Sequence, residues 1–243
     1  MNVYHTPQYQ QFRRENSFVF SEEYRSTLPG KMETLAEGYS VCTDYYMGHL
    51  QYQIRAARHR LLDSGGQVVY TWDNLDYDGE FYRLIPHANG KHYLIFREDL
   101  YGYSVLEVET GQALHYIPEK SWPLDGRQGK ETFIWTNAGY DPGTNLLAVW
   151  GCYWACPGST VFLDFSDPLS VQGCGCWVEM HEIMDPDYDL FDDIRMVNWN
   201  VRGWTCFECT SATENTGWQE ELVPQEKILD AVRKKKLKCK ERG

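Results

Sequence analysis

EFYRLIPHANGKHYLIFREDLYGYSVLEVETGQALHYIP (residues 80–118) contains the clearest indication of the fold of this chain. It contains strand-like runs separated by short turns with Asn, Gly or Asp at their corners, in the order LIPH, ANGK, HYLIFRE, DLYG, YSVLEVE, TGQ and ALHYIP. Aromatic and β-branched residues, which suit a pleated and half-buried surface, are frequent in these runs. The stretch therefore predicts a four-stranded antiparallel meander.

The same order of strands and turns recurs downstream, in residues 131–172. LLAVW (146–150) takes the place of YLIFR (93–97), and VFLDFSDP (161–168) takes the place of VLEVETGQ (105–112). A repeated order of this kind indicates that one structural unit is used more than once in the chain.

Two further segments resemble parts of the same unit. QYQIRAARHRLL and QVVYTWDN flank a turn at residues 63–66, which predicts a β-hairpin upstream of the meander. DDIRMVNWNVRGWTCFECTSATE (192–214) forms a third copy downstream, with CFECT in the position of VLEVE. The chain is therefore expected to be mainly β over most of its length.

Repeats of about 40–50 residues with several strands each are typical of propeller blades. TNLLAVWG followed by STVFLDFSDP resembles the inner and middle strands of a WD-repeat-type β-propeller blade, and TWDN (71–74) is similar to the terminal Trp-Asp of that family. The resemblance covers residues 50–215, lacks the Gly-His dipeptide, and implies a propeller-like binding platform of about four blades. It carries over no catalytic residues. An open β-sandwich or meander is the alternative.

Three segments are predicted in this chain. Residues 1–49 are expected to form an irregular N-terminal cover, residues 50–222 the propeller-like β domain, and residues 223–243 a C-terminal helix with a basic tail. In the last segment, Pro224 suits the first helical turn, and the lysines suit the negative end of the helix dipole. An apolar stripe predicts that this helix docks on a sheet, and it consists of Ile228, Leu229 and Val232.

Charge is distributed unevenly along the chain. The net charge is −12, but the last eleven residues, RKKKLKCKERG, contain seven Lys or Arg and one Glu. The rest of the chain therefore carries about −18. Such a body repels nucleic-acid phosphates and favours a basic protein partner. A solvated tail is the leading interpretation of this basic segment, with RNA or an anionic lipid surface as the alternatives.

The location of the protein is expected to be cytoplasmic. The N-terminal stretch MNVYHTPQYQQFRRENSF lacks the apolar run of a signal peptide, and no segment has the ~18 apolar residues of a membrane span. Eight cysteines in this context are expected to be thiols rather than disulfides.

Four cysteines are candidate metal ligands: Cys152 and Cys156 in the loop GCYWACPG, and Cys174 and Cys176 in GCGC. Pairs two to four residues apart on turns supply the convergent geometry of a zinc site. Free cysteine also packs as a small apolar residue, and a redox pair is a third interpretation. Packing is the leading interpretation, with no cofactor required and zinc as the alternative.

DPDYDLFDD (185–193) is a second candidate site and contains Asp185, Asp187, Asp189, Asp192 and Asp193. The first three have the one-three-five spacing of a calcium loop. Leu190 replaces the required Gly, however, and Met196 replaces the bidentate Glu. The segment is therefore expected to be a solvated acidic loop that contacts a basic partner.

Aromatic residues in two turns form a third candidate site: Tyr101, Tyr103, Tyr153 and Trp154. The turns occupy equivalent positions in the two best repeats, so these side chains are expected on one rim. Tyr and Trp are enriched at binding hot spots. Hydrophobic plugs beneath the loops are nevertheless the leading interpretation of these side chains, and a binding rim is the alternative.

These observations favour a non-enzymatic protein-interaction module with an acidic body, one form of which is an immunity-type protein that neutralises a basic toxin. No P-loop, dinucleotide fingerprint or nucleophile elbow is found. The alternative function is a metal-dependent enzyme that uses zinc at the cysteine loops or carboxylates of the 185–193 segment.

Overall fold

The computed structural model describes residues 1–49, 53–75, 80–154, 158–170, 176–187, 190–211, 213 and 217–240, without the side chains of residues 192, 193 and 240. The chain divides into two compact units, Met1–Glu131 and Thr132–Gly243, called here the N-terminal and C-terminal units. The division falls inside the predicted β domain. The described strands form four antiparallel sheets of three or four strands, and none of these sheets closes on itself.

The described part of the N-terminal unit contains one α-helix, three short 3-10 helices (Ser17–Phe20, Glu22–Tyr24 and Ala36–Gly38) and two sheets, in which consecutive strands are neighbours. The α-helix is α1 (Pro7–Asn16). The first sheet consists of β1 (Lys31–Thr34), β2 (Ser40–His49), β3 (Gln53–Leu62) and β4 (Val68–Asn74). The second sheet consists of β5 (Tyr82–Pro86), β6 (His92–Phe96), β7 (Tyr103–Glu107) and β8 (Ala113–Tyr116).

The predicted hairpin and meander are therefore present, as β3–β4 and β5–β8. Apolar side chains of both sheets form one buried cluster, consisting of Val41, Leu61, Trp72, Leu84, Leu94, Phe96, Leu106 and Val108. Gly102, just before β7, has φ +96°, and a Cβ at this position would lie 2.2 Å from the carbonyl oxygen of Tyr116. A glycine is thus required where this turn passes the end of β8.

Regular structure begins earlier than the sequence indicates. Residues 1–49, expected to be irregular, contain α1, β1 and β2. The first turn of α1 is capped by Thr6, whose hydroxyl accepts a hydrogen bond from Tyr9 N at 3.4 Å. Pro7 stands in the first helical turn, and the Tyr9 side chain is fully buried. The helix is thus held by its cap and by packing.

The C-terminal unit contains two further sheets and two helices. The sheet with strand order β12-β11-β10-β9 consists of β9 (Ile134–Asp141), β10 (Leu146–Cys152), β11 (Gly158–Asp164) and β12 (Val178–Glu179). The three-stranded sheet consists of β13 (Phe191–Val201), β14 (Trp204–Ser211) and β15 (Trp218–Pro224). The helices are α2 (Met180–Met184) and α3 (Gln225–Lys240).

The predicted C-terminal helix is α3, and its apolar stripe packs as expected. Ile228 and Val232 are buried in a cluster that includes residues of both sheets, and Leu229 packs against that cluster. At the other end of α3, the ammonium of Lys235 lies 2.7 Å from the Glu182 carboxylate, and Lys236 pairs with Asp164. Among the described helices, none has the length and apolar character needed to cross a membrane.

Candidate functional site

The aromatic candidates of the N-terminal unit differ in exposure. Tyr101 is partly exposed in the turn before β7. Tyr103, within β7, is 5% exposed, and its ring centroid lies 5.4 Å from that of Tyr116. The Tyr103 ring therefore contributes to the core of its unit.

The other two aromatic candidates belong to the C-terminal unit. The hydroxyl of Tyr153 donates a hydrogen bond to Glu179, and its ring meets Phe133 at a centroid distance of 5.5 Å. Trp154, the next residue, is 59% exposed. Of the four candidates, Trp154 presents the most accessible side chain, and the shared rim stays a prediction.

The acidic candidate loop has a buried first residue. The Asp185 carboxylate is fully buried and accepts hydrogen bonds from the backbone N–H groups of Leu190 and Phe191, both at 3.0 Å. This carboxylate therefore fixes the connection between α2 and β13. Asp187 is exposed. The remaining candidates lie outside the described residues, as Asp189, or outside the described side chains, as Asp192 and Asp193.

The cysteine candidates are only partly within the described chain. Cys152, at the end of β10, and Cys176 are both partly buried, whereas Cys156 and Cys174 lie outside the described residues. No three His, Cys, Asp or Glu side chains within the described ranges are grouped to hold a metal ion. The zinc site with these four ligands stays a prediction.

A buried polar cluster in the N-terminal unit brings together a serine, a histidine and a glutamate. Glu98 Oε2 lies 2.7 Å from His115 Nδ1, and the Ser104 hydroxyl lies 2.9 Å from both atoms. In a nucleophilic triad, the serine and the acid contact different nitrogens of the imidazole. Here both contact Nδ1, so the cluster lacks the geometry for a proton relay.

The same cluster holds the N-terminal segment against the second sheet. The Tyr4 ring stacks on His115 at 4.3 Å, and the Arg13 guanidinium donates to the Glu98 carbonyl at 2.6 Å. Burial favours a higher pKa for the Glu98 carboxyl, but His115, Arg13 and Ser104 together hold this pKa below its usual range. A charged Glu98 thus stabilises the native unit.

An exposed candidate surface lies on the three-stranded sheet of the C-terminal unit. Its inner side packs into the core through Ile194, Phe207 and Val223. We call the opposite side the outer face; it consists of Arg195, Val201, Trp204, Cys206, Glu208, Trp218, Glu220 and Leu222. Trp204 is 46% exposed and Leu222 is 59% exposed. Neighbouring exposed apolar side chains of this size are typical of interaction surfaces.

Charged groups are interleaved with the apolar side chains of the outer face. Arg195 donates to Glu208 with its Nε atom at 2.7 Å, and its guanidinium lies 4.2 Å from the ring centroid of Trp218. Glu220 stands directly opposite Glu208 in the β14–β15 register. Within the described chain, Glu220 has no ion-pair partner, so the outer face keeps an unbalanced negative charge.

These carboxylates affect the pKa of the Cys206 thiol. Burial raises the pKa of its thiol, and the negative charges of Glu220 and Glu208 raise it further. The outer-face thiol is therefore less reactive than an ordinary exposed cysteine.

The alternation that produces the outer face is visible in the sequence, but the sequence does not show which of the two alternating sets is exposed. In WTCFECTS, Trp204, Cys206 and Glu208 alternate with Thr205, Phe207 and Cys209, and both sets contain apolar residues. Nothing in the alternation says which set is buried.

No protein-family model matches this chain, and no curated protein sequence matches it.

Proposed function

We propose that this protein is a non-enzymatic interaction module that binds a basic protein partner through the outer face of its three-stranded sheet. The observation that carries the proposal is the exposure of Trp204, Trp218 and Leu222 beside the uncompensated carboxylate of Glu220. Exposed tryptophans supply large contact areas of the kind found at binding hot spots. An immunity-type protein that neutralises a basic toxin is one form of this proposal.

Charge supports the choice of partner. The chain carries 35 acidic and 23 basic side chains, and seven of the basic ones lie in the last eleven residues. Acidic potential over most of the sequence steers a basic partner and fixes its orientation more than it adds affinity. Association is therefore expected to slow as the salt concentration rises.

The propeller-like arrangement belongs to the same proposal. Four successive meander sheets agree in number with the four blades that the resemblance to WD-repeat-type propellers implies. A platform of this kind presents strands and loops for binding without requiring catalytic groups. A cytoplasmic location is also part of the proposal, and the eight cysteines would be kept as thiols in that compartment.

Site-specific photo-crosslinking tests the proposal. A photoreactive amino acid replaces Trp204 or Leu222 in separate full-length chains, and adducts formed in lysate from the source cells are identified by mass spectrometry. Val68, which is 55% exposed on β4 of the N-terminal unit, provides the control position. We expect one basic protein in the adducts of both outer-face positions and none of it at the control.

Binding of that protein, once purified, gives the decisive measurement. Trp204→Ser and Leu222→Ser are each expected to weaken its affinity about tenfold or more, as truncation of a hot-spot residue does. Adducts shared equally with the control position, or an affinity that both substitutions leave unchanged, contradict the proposed binding surface.

A further inference from the structure

The pairing of β14 with β15 determines which backbone groups face the outer edge of the sheet. Opposite residues in an antiparallel pair alternate between hydrogen-bonded and non-hydrogen-bonded pairs. Gln225 N donates to Gly203 O at 2.9 Å, one residue beyond the last strand pair, which contains Pro224. Pro224 has no N–H, in agreement with a non-hydrogen-bonded pair there. Because the two kinds of pair alternate, every second residue before Pro224 also belongs to a non-hydrogen-bonded pair with β14. These residues are Leu222, Glu220 and Trp218, and their backbone N–H and C=O groups point away from β14.

These groups lie on an edge of the sheet in the described part of the chain. The strand order β13-β14-β15 places β15 last, with β14 on its only paired side. All residues from Trp218 to Leu222 are exposed, including those whose side chains point to the inner side. An exposed edge strand with unpaired backbone groups is a template for an added strand.

We propose that the outer edge of β15 binds an extended segment of the partner as an added antiparallel strand with an apolar–x–basic–x–apolar pattern. This inference rests on the proposed function and specifies how the partner binds. The outer-face residues of β15 alternate as Trp218, Glu220 and Leu222. Same-face side chains of an added strand lie beside these three, so apolar, basic and apolar residues complement them.

Charge makes a second copy of this chain an unsuitable occupant. Antiparallel self-pairing centred on Glu220 places two Glu220 carboxylates opposite each other, with Glu208 on the neighbouring strand. Like charges directly opposite destabilise a strand pair. A lysine or arginine in the same place is instead attracted by the Glu220 carboxylate, whereas Glu208 is already paired with Arg195. The acidic residues of the edge therefore disfavour self-association and favour a basic strand.

A synthetic peptide tests the inference with the full-length protein. The probe is fluorescein-labelled STVTKTVTS, and binding is followed by fluorescence anisotropy at low salt. We expect Glu220→Lys to weaken binding about tenfold, and a peptide with glutamate in place of its lysine to recover that loss. Glu221→Lys is the matched control, because Glu221 lies on the same strand with its side chain on the opposite face.

Backbone methylation of the peptide separates strand addition from contact with side chains alone. In the antiparallel register, the lysine N–H of the peptide points to Glu220, and the N–H of the adjacent threonine points away. N-methylation at the lysine is expected to weaken binding about tenfold, and N-methylation at the threonine to leave it within about twofold.

Three results overturn the inference: no binding up to millimolar peptide, equal effects of the two N-methylations, or equal effects of the Glu220 and Glu221 substitutions. The crosslinking experiment stays independent of these results. If position 222 crosslinks a basic protein but N-methylation at the lysine has no effect, strand addition is rejected while the proposed function stands.

Discussion

The two units of this protein are each built from two antiparallel sheets, yet they place their charged groups differently. The N-terminal unit buries ionisable side chains: His59, His87, Arg97, Glu98 and Glu107. In the C-terminal unit, Asp185 is the one buried acidic side chain, and no lysine, arginine or histidine is buried, among the described residues. Its other buried polar side chains are uncharged, such as Thr205 and Gln225, and its remaining described charged groups are partly or fully exposed.

Different forces are therefore expected to stabilise the two units. Buried ionisable groups stabilise a fold only while their partners and protonation states are kept, so the N-terminal unit is expected to be sensitive to pH and to charge deletion. The C-terminal unit is expected to respond mainly to loss of apolar packing. Its charged side chains are then left at the surface, where the proposed function requires them.

The largest expected effect comes from Glu98→Gln. This change leaves the Arg13 guanidinium without its buried counter-charge and replaces the carboxylate that His115 contacts, and it is expected to destabilise the N-terminal unit by about 3–5 kcal/mol. Hydrogen exchange followed by mass spectrometry measures the loss in peptides of β5–β8 and compares it with peptides of β9–β15.

Glu109→Gln is the control for this change, because Glu109 pairs with His92 at 2.6 Å in a more exposed position. Its expected cost is below about 1 kcal/mol. Equal losses of stability in the two variants would contradict the prediction that burial makes the interactions of Glu98 more stabilising than those of Glu109.

Ile228→Ala tests the apolar core of the C-terminal unit. Ile228 is fully buried on α3 within the cluster shared by both sheets, so its truncation is expected to cost about 2–5 kcal/mol. Faster exchange is expected in α3 and β10–β15. Faster exchange confined to the N-terminal unit contradicts the assignment of this core. Leu237→Ala is the control, since Leu237 is exposed on the same helix.

Acid is expected to weaken the N-terminal unit through His59. Burial, and then the charge of Lys31, lowers the pKa of His59 to about 3. The ring bonds to the Thr43 hydroxyl at 2.8 Å and stacks on Trp72. Because the unfolded chain binds the proton near pH 6.5, stability is full above that pH. It falls by about 1.4 kcal/mol per pH unit as the pH drops towards 3.

The measurement is the exchange of β2–β4 peptides between pH 6.5 and 4.5, corrected for the intrinsic exchange rate. His59→Gln is expected to lower stability at neutral pH and to flatten the pH dependence. If the pH dependence of β2–β4 keeps its slope in His59→Gln, another group causes the acid sensitivity.

The smallest expected effect concerns the charges on the outer face. Glu220→Gln removes a negative charge that raises the pKa of Cys206, so the pKa falls and more thiolate is present at pH 8. Alkylation of Cys206 by iodoacetamide, resolved by peptide mass spectrometry, is expected to accelerate about twofold. Glu221→Gln, on the opposite face, is expected to have no effect. Equal rates in both variants show that Glu220 does not act on this thiol.

Much of the strand pattern could be predicted from the sequence, because short alternating runs and turn residues act locally. The β5–β8 meander and the docking of Ile228 and Val232 follow from such patterns. The sequence pattern does not predict helix α1, because the residues of this helix are mostly polar. Arg13 on α1 bonds to the carbonyl of Glu98, a contact 85 residues away that no local pattern indicates.

The candidate site was harder to predict for a related reason. Aromatic residues in turns are visible in a sequence, but their exposure depends on packing, and Tyr103 proved to be buried. Trp204 and Leu222 lie on different strands and become neighbours only through the β14–β15 register. Which face of a sheet is covered depends on the whole unit, and alternation alone leaves both faces equivalent.

The close approach of Gly102 to Tyr116 limits the amino acids that position 102 can accept. In a saturation mutagenesis screen of this gene, position 102 is expected to accept no other amino acid, because any Cβ meets the Tyr116 carbonyl. Gly111 also has a positive φ, of +70°, but nothing lies within 4 Å of its missing Cβ. Asparagine and aspartate, which tolerate that backbone conformation, are expected to survive at position 111. Two glycines with similar backbone angles thus differ in the number of codons each permits.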